Sequence, residues 1–158
     1  DHQKMAKLFE SFVRNFYRRE QNVFRVHRED IAWKAVSMET NGNLSLLPKM
    51  QTDISLSSYS RKIIIDTKFY AQTLIGQFEP TKAHSSHLYQ LYSYLRNLET
   101  GNDKLSVNDT CEGILLYPQN GLDVQETYML GNHKMTIRTV NLDLPWKDIH
   151  NQLLNIIN

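Results

Sequence analysis

Apolar positions in the first twenty residues, Met5, Leu8, Phe9, Phe12, Val13, Phe16 and Tyr17, recur at intervals of three and four. That spacing draws one stripe on a helix over about residues 4–20, with Glu10 beside the stripe. The period then changes. Residues 23–27 and 31–36 are short β-branched and aromatic runs, and 40–43 carry Asn-Gly in their middle, which predicts strands and a turn. Residues 50–56 and 62–70 flank the Ser-rich stretch 57–60 and predict a hairpin of neighbouring antiparallel strands. Alternate side chains of a strand share a face, so Ile64, Asp66 and Lys68 point one way and Ile63, Ile65 and Thr67 the other.

After a loop containing Gly76 and Pro80, Leu88, Leu91, Leu95 and Leu98 keep helical spacing over 85–98, with Ser85 or Ser86 as the expected N-cap. Gln90 and Tyr94, four apart, flank that leucine stripe. Residues 99–110 are polar and read as a mobile loop. Residues 113–117 form a continuous apolar run, as a strand covered on both faces would. A turn over 118–123 leads to strands over 126–130 and 134–140. A last helix has Pro145 near its first position and Trp146, Ile149, Leu153 and Ile156 on one face. The order of elements predicts an α/β fold, a central mixed sheet flanked by helices, in one domain over 1–158.

Composition adds limits. A chain of 158 residues can bury roughly 70% of its extended surface, so it needs no disulfide or metal staple. With 41% hydrophobic and 22% charged residues the chain is not a disordered one. The lone Cys111 excludes an internal disulfide framework and points to a reducing, cytoplasmic setting. No apolar run approaches the ~20 residues that span a bilayer, and neither a signal peptide nor an initiator methionine opens the chain, which reads as a domain cut from a longer protein. Charge is uneven: residues 4–34 carry eight Lys/Arg against four Asp/Glu, and 99–158 carry four against eight. Such asymmetry permits a polyanion against the N-terminal part, although a solvated surface is its commoner meaning.

Candidate chemistry centres on Asp53 and on Asp66-Thr67-Lys68, because charged residues inside apolar strands cost several kcal/mol unless paired or bound to metal. A hairpin that brings Asp53 beside Asp66 makes two carboxylates converge, and a hard divalent cation, Mg²⁺ or Mn²⁺, suits such a site. Taken alone, Asp-x-Lys is more often an ordinary ion pair at a strand edge. Other residues carry weaker signals. His84 and His87, three apart, lack further zinc-type partners and read as capping or DNA-facing polar groups; Lys82 and His84 are candidate phosphate contacts. Cys111 reads as a small buried residue, and Trp33 and Trp146 as core or interface anchors. Arg14, Arg18 and Arg19 are candidates for DNA backbone contacts, with a solvated helix face as the plainer reading.

The context supplies a resemblance. An acid in a strand, a hairpin, an apolar strand ending in Asp-x-Lys, a preceding helix with Glu10 and a following helix with Gln90-x-x-x-Tyr94 resemble the PD-(D/E)xK nuclease core. More closely, the blocks 46–54, 64–70, 84–95 and 113–118 resemble, in order, the McrC family, with similarity from about Leu8 to Ile157. Thr52 precedes the first acid where the nominal motif has proline, and Thr67 stands where many relatives have a smaller residue.

That resemblance implies a restriction-endonuclease-like fold and metal-dependent DNA cleavage with Mg²⁺, for which Mn²⁺ substitutes. Asp53 and Asp66 become the metal-binding acids, the Thr67 carbonyl a further ligand, and Lys68 the catalytic lysine. Glu10 completes or contacts the metal shell, against the plainer reading of an ion pair with Arg14 four residues on. Gln90 and Tyr94 orient the site or meet DNA. Implied partners are DNA, a McrB-type AAA+ GTPase engaged through an absent N-terminal region, and a second copy in the active assembly; no membrane is implied. Two rivals are a free-standing RecB-like exonuclease and a non-catalytic DNA-clamping module.

Overall fold

The computed structural model describes residues 1–69 and 85–158. In chain order the elements are α1 (His2–Glu20), β1 (Arg25–His27), β2 (Asp30–Ile31), β3 (Met50–Gln51), β4 (Ile54–Ser57), β5 (Lys62–Thr67), α2 (Ser85–Leu98), β6 (Glu112–Pro118), β7 (Gln125–Leu130), β8 (His133–Val140) and α3 (Trp146–Ile156). Helix α1 starts earlier than its apolar stripe does, because the Asp1 carboxylate caps it, accepting from the backbone N–H groups of Gln3 and Lys4 at 2.8 and 3.3 Å.

Six strands form a mixed sheet in the order β1-β4-β5-β6-β8-β7. β4 runs antiparallel to both β1 and β5, β5, β6 and β8 run parallel, and β7 returns antiparallel to β8. This confirms the expected α/β class with helices on both faces. On one face Phe9, Val13, Phe16 and Tyr17 of α1 and Ile149 and Leu153 of α3 pack with Ile54, Leu56, Ile63, Ile65 and Leu116. On the other, Leu91, Leu95 and Leu98 of α2 pack with Ile64, Leu115 and Tyr117. The unbroken apolar runs of β5 and β6 follow from this double cover. The Tyr17 hydroxyl donates to the Leu153 carbonyl at 2.7 Å and ties α1 to α3. Helix α2 lies so close to β6 that a Cβ on Gly113 would come within 2.9 Å of Leu95 Cδ1.

Several elements depart from expectation. The run over 31–36 is strand only at its first residue; β2 has just β3 to pair with, and from Ala32 the chain peels away. There Trp33 Nε1 donates to the Pro48 carbonyl at 2.6 Å and Asn97 accepts the Lys34 N–H at 2.9 Å. β5 ends at Thr67, two residues into the expected Asp-x-Lys, and Tyr70, Gly76 and Pro80 lie outside the described residues. Ser85 and Ser86 both lie inside α2, so neither is its N-cap. Pro145 is the N-cap of α3, just before its first turn. Residues 99–110 contain no helix or strand, yet they are pinned: Asp109 accepts the N–H groups of Thr100 and Ser106 at 2.7 and 2.8 Å. Those two backbone bonds, Ser106's foremost, hold its carboxyl well below the usual range.

Among the described residues no helix is long and apolar enough to cross a membrane.

Candidate active site

The hairpin register sets Ile54 opposite Ile65, and continued by one residue it sets Asp53 opposite Asp66. Asp53 nevertheless lies outside any strand, because the expected continuous strand over 50–56 is broken at Thr52. The polar groups of Thr52 are engaged away from β5, its carbonyl by Arg28 Nε at 3.5 Å. Its N–H donates to the Glu29 carbonyl at 2.8 Å, and its Oγ1 accepts the Glu29 N–H at 2.9 Å and meets Ser55 Oγ at 2.8 Å. Thr52 is thus the joint at which the chain leaves the small β2–β3 sheet and joins the large one, and a hydroxyl does there what the motif's nominal proline could not.

The same joint aims Asp53. Its Oδ2 accepts the backbone N–H and the hydroxyl of Thr67 at 2.8 and 3.0 Å. Asp66, 2% exposed, faces the same cleft. Its Oδ2 is buried, and among the described residues no donor meets it with hydrogen-bond geometry. Lys68 Nζ stands 3.2 Å from that oxygen as an ion-pair contact and donates instead to Gln90 Oε1 at 2.7 Å. Gln90 Nε2 in turn donates to the Tyr94 hydroxyl at 2.8 Å. The four-residue spacing on α2 therefore sets a chain of contacts Lys68–Gln90–Tyr94.

Helix α1 brings Glu10 into the cleft, which encloses about 270 Å³ and is lined also by Lys7, Asp53, Asp66, Lys68 and Gln90. The Glu10–Arg14 pair expected from spacing is present at 2.8 Å, but it does more than decorate a helix. Arg14 also donates to the Asp53 carbonyl at 3.2 Å, so one guanidinium holds Glu10 and the backbone of Asp53 together. Arg14, with its side chain 13% exposed, is accordingly a brace of the site and not the DNA-facing residue its charge suggested. The i, i+4 spacing to Glu10 was the sequence signal; the contact to Asp53, 39 residues away, left none.

Electrostatically the cleft is loaded. Burial first, then the charges of Asp66 and Glu10, pushes the Asp53 carboxyl up to about 8. Burial also raises Asp66, against the pull of Lys68. For Glu10 burial acts upward, but the Arg14 hydrogen bond, a weaker one involving Asp53 and the Arg14 and Arg28 charges outweigh it, and the net shift is downward. Burial raises Tyr94 too, with Asp66 and Asp53 adding to it and Gln90 opposing.

A pH signature follows from Asp53. Between the ordinary value of 3.8 and about 8, the unfolded chain has released a proton that the folded protein keeps, so stability falls as pH rises through that window and levels off above it. Thermal melts in chelator should show this decline, and Asp53→Asn should lessen it, leaving the part that the raised Asp66 carboxyl contributes with the same sign. A profile that is the same in wild type and variant contradicts the assignment.

The remaining expectations divide. His87 is buried, with Nδ1 2.9 Å from the Tyr117 hydroxyl, so it neither caps α2 nor faces DNA. Lys82 and His84 lie outside the described residues. Cys111 is fully buried beside His133, and burial pushes its thiol up to about 12, as an inert core residue. Trp33 is half-buried against the α2-side core, whereas Trp146 stays 52% exposed on an apolar groove with Phe9, Phe12 and Phe69. That groove, about 400 Å³, is larger than the acidic cleft and shares only Phe69 with it, and it offers no chemistry.

Residues 3–118, which include Glu10, Asp53, Asp66, Lys68, Gln90 and Tyr94, match the family described as McrBC 5-methylcytosine restriction system component. The chain is also 33% identical over 155 residues to the type IV methyl-directed restriction enzyme EcoKMcrBC of Escherichia coli (strain K12). That similarity covers 98% of this chain and 43% of the relative, so the chain spans less than half of the relative's length. On the match over most of its residues, the chain belongs to the McrBC restriction system component family.

Proposed function

We propose that this chain is the DNA-cleaving domain of a McrBC-type restriction system, a PD-(D/E)xK endonuclease that hydrolyses phosphodiesters with Mg²⁺ or Mn²⁺. The observation that supports this reading is the buried Asp66 oxygen, which among the described residues makes no hydrogen bond and has only the Lys68 ammonium as an ion-pair contact at 3.2 Å. It is set in the cleft beside Asp53, whose carboxyl is pushed up by burial and by the charges of Asp66 and Glu10. Buried carboxylate oxygens are normally hydrogen-bonded, and a divalent ion is what such a pair lacks. Among the described residues no three His, Cys, Asp or Glu side chains close into a complete metal cage. That suits Mg²⁺, which takes one or two carboxylates and leaves its other positions to water and substrate phosphate.

Asp53 and Asp66 would hold the ion, with the Thr67 carbonyl as a candidate third ligand and Glu10 beside them. Bound there, the ion would polarise the phosphodiester and ease deprotonation of a water. Lys68, fixed by Gln90, orients the attacking water or offsets charge growing on the phosphate as the ester oxygen leaves. Gln90 and Tyr94 act through Lys68. The lysine and both acids stand together in one cleft, which favours the enzyme over a clamping module. In this reading the domain works with a McrB-type GTPase that recognises modified DNA, and two copies are needed to cut both strands.

The test is calorimetric titration of Mn²⁺ into wild type and Asp53→Ala, with nicking of closed circular plasmid in the presence and absence of the GTPase partner and GTP. Metal binding lost in the variant, with metal-dependent nicking by wild type alone, is expected. Cleavage confined to linear DNA would favour the RecB-like exonuclease that the Gln90–Tyr94 contact also fits. Undiminished nicking by folded Asp53→Ala would refute the reading.

A further inference from the structure

Cations near the cleft have different assignments. Arg14 is committed to Glu10 and the Asp53 carbonyl, and Lys68 to Asp66 and Gln90. Lys7 differs from both. It lines the cleft from α1, its side chain is exposed, and among the described residues it has no ion pair and no side-chain hydrogen bond. Glu10, one turn along the helix, would be its natural i, i+3 partner, but the Glu10 carboxylate is held by Arg14. Lys7 thus stands uncommitted, among the described residues, at the rim of a cleft that holds three carboxyl groups. One turn earlier, exposed Lys4 continues the same cationic edge outward.

A polyanion approaching three acids is repelled, and a bound ion offsets that at the reacting phosphate alone. The neighbouring phosphates of the same strand need a cation at the rim, and a long, hydrated ammonium with nothing to release before binding is suited to that. We propose that Lys7 binds the DNA phosphate adjacent to the one cleaved and is the residue that admits the backbone to the acidic cleft. This rests on the nuclease reading above. Of the three α1 candidates for DNA contact, Arg14, Arg18 and Arg19, it replaces Arg14 with Lys7.

Counterion release gives the test a number. Each phosphate contact contributes about 0.9 to the slope of log affinity against log salt, so losing one weakens binding on the order of eightfold at about 0.1 M salt. Binding of a short fluorescent duplex is measured by anisotropy between about 50 and 200 mM salt, with Ca²⁺ in place of Mg²⁺, for wild type, Lys7→Ala, Lys7→Arg and Lys104→Ala, the last an exposed lysine on the loop before β6. Lys7→Ala is expected to lose about 0.9 of slope with an unchanged melting temperature, Lys7→Arg to keep the slope, and Lys104→Ala to match wild type. If wild type binds and Lys7→Ala has the same slope, or if Lys104→Ala loses as much, Lys7 is no specific contact and the inference is overturned while the nuclease reading stands. If wild type binds no DNA even with the GTPase partner and GTP present, both fall.

Discussion

Asp66→Asn is expected to cut metal-dependent DNA cleavage on the order of a thousandfold or more while raising the melting temperature of the metal-free protein. The two effects share one cause. The Asp66 carboxylate is buried, one of its oxygens makes no hydrogen bond among the described residues, and its charge is among the forces that raise Asp53. An isosteric amide removes that repulsion at no cost in volume, so the folded state gains. The negative charge that would help hold a divalent ion disappears with it, and electrostatic stabilisation of this kind is one of the main sources of an enzyme's rate enhancement. Lys68 keeps its bond to Gln90 and partial access to water, so the variant leaves no buried cation stranded. Melts in chelator and single-turnover cleavage check the pair of outcomes together. A destabilised variant that still cleaves would mean that Asp66 is a structural ion-pair partner of Lys68 and nothing more.

A comparable loss, in stability and not in chemistry, is expected at the opposite end of β5. Lys62 is 7% exposed; its Nζ donates to Glu29 at 2.7 Å and to Asn108 at 3.2 Å. Removing one member of a buried pair typically costs about 3–5 kcal/mol because the survivor is left buried and uncompensated. Glu29, with its side chain 21% exposed, recovers some hydration, which places Lys62→Met near the lower figure. For a domain of this size about 3 kcal/mol corresponds to a drop of roughly 6–12 °C in melting temperature. The double variant Lys62→Met/Glu29→Leu should recover much of that, since an apolar pair of similar volume removes both desolvation penalties. Denaturant unfolding of the two variants measures this, and equal losses would show that the polar network, Ser55 and Asn108 included, carries the stability and not the ion pair.

What could be read from the residues depended on how local the cause was. The stripes of α1 and α2 and the unbroken run of β6 are imposed by burial on one face or on two, and periodicity reports burial directly. Asp53, Asp66 and Lys68 were legible for a related reason, as charges placed where apolar strands should have continued. The break at Thr52 was not legible, because its partner Glu29 is 23 residues away and a threonine amid apolar residues reads as one more strand position. Residues 32–36 failed in the opposite sense: their propensity was real, but β2 and β3 offer a ladder only two residues long. The pinned loop over 99–110 looked mobile because polar composition does not reveal that one buried carboxylate, Asp109, gathers its backbone donors.

Lys68 is held at both ends: its backbone N–H bonds the Leu116 carbonyl at 2.9 Å, just past the last residue of β5, and its ammonium bonds Gln90. A lysine side chain free in solution samples many rotamers, and confining it costs about 2 kcal/mol of entropy. Here folding has already met that cost through β6 and α2. In the proposed reaction the ammonium, already ordered by Gln90, would meet a phosphate with little of that entropy left to charge to the reacting complex.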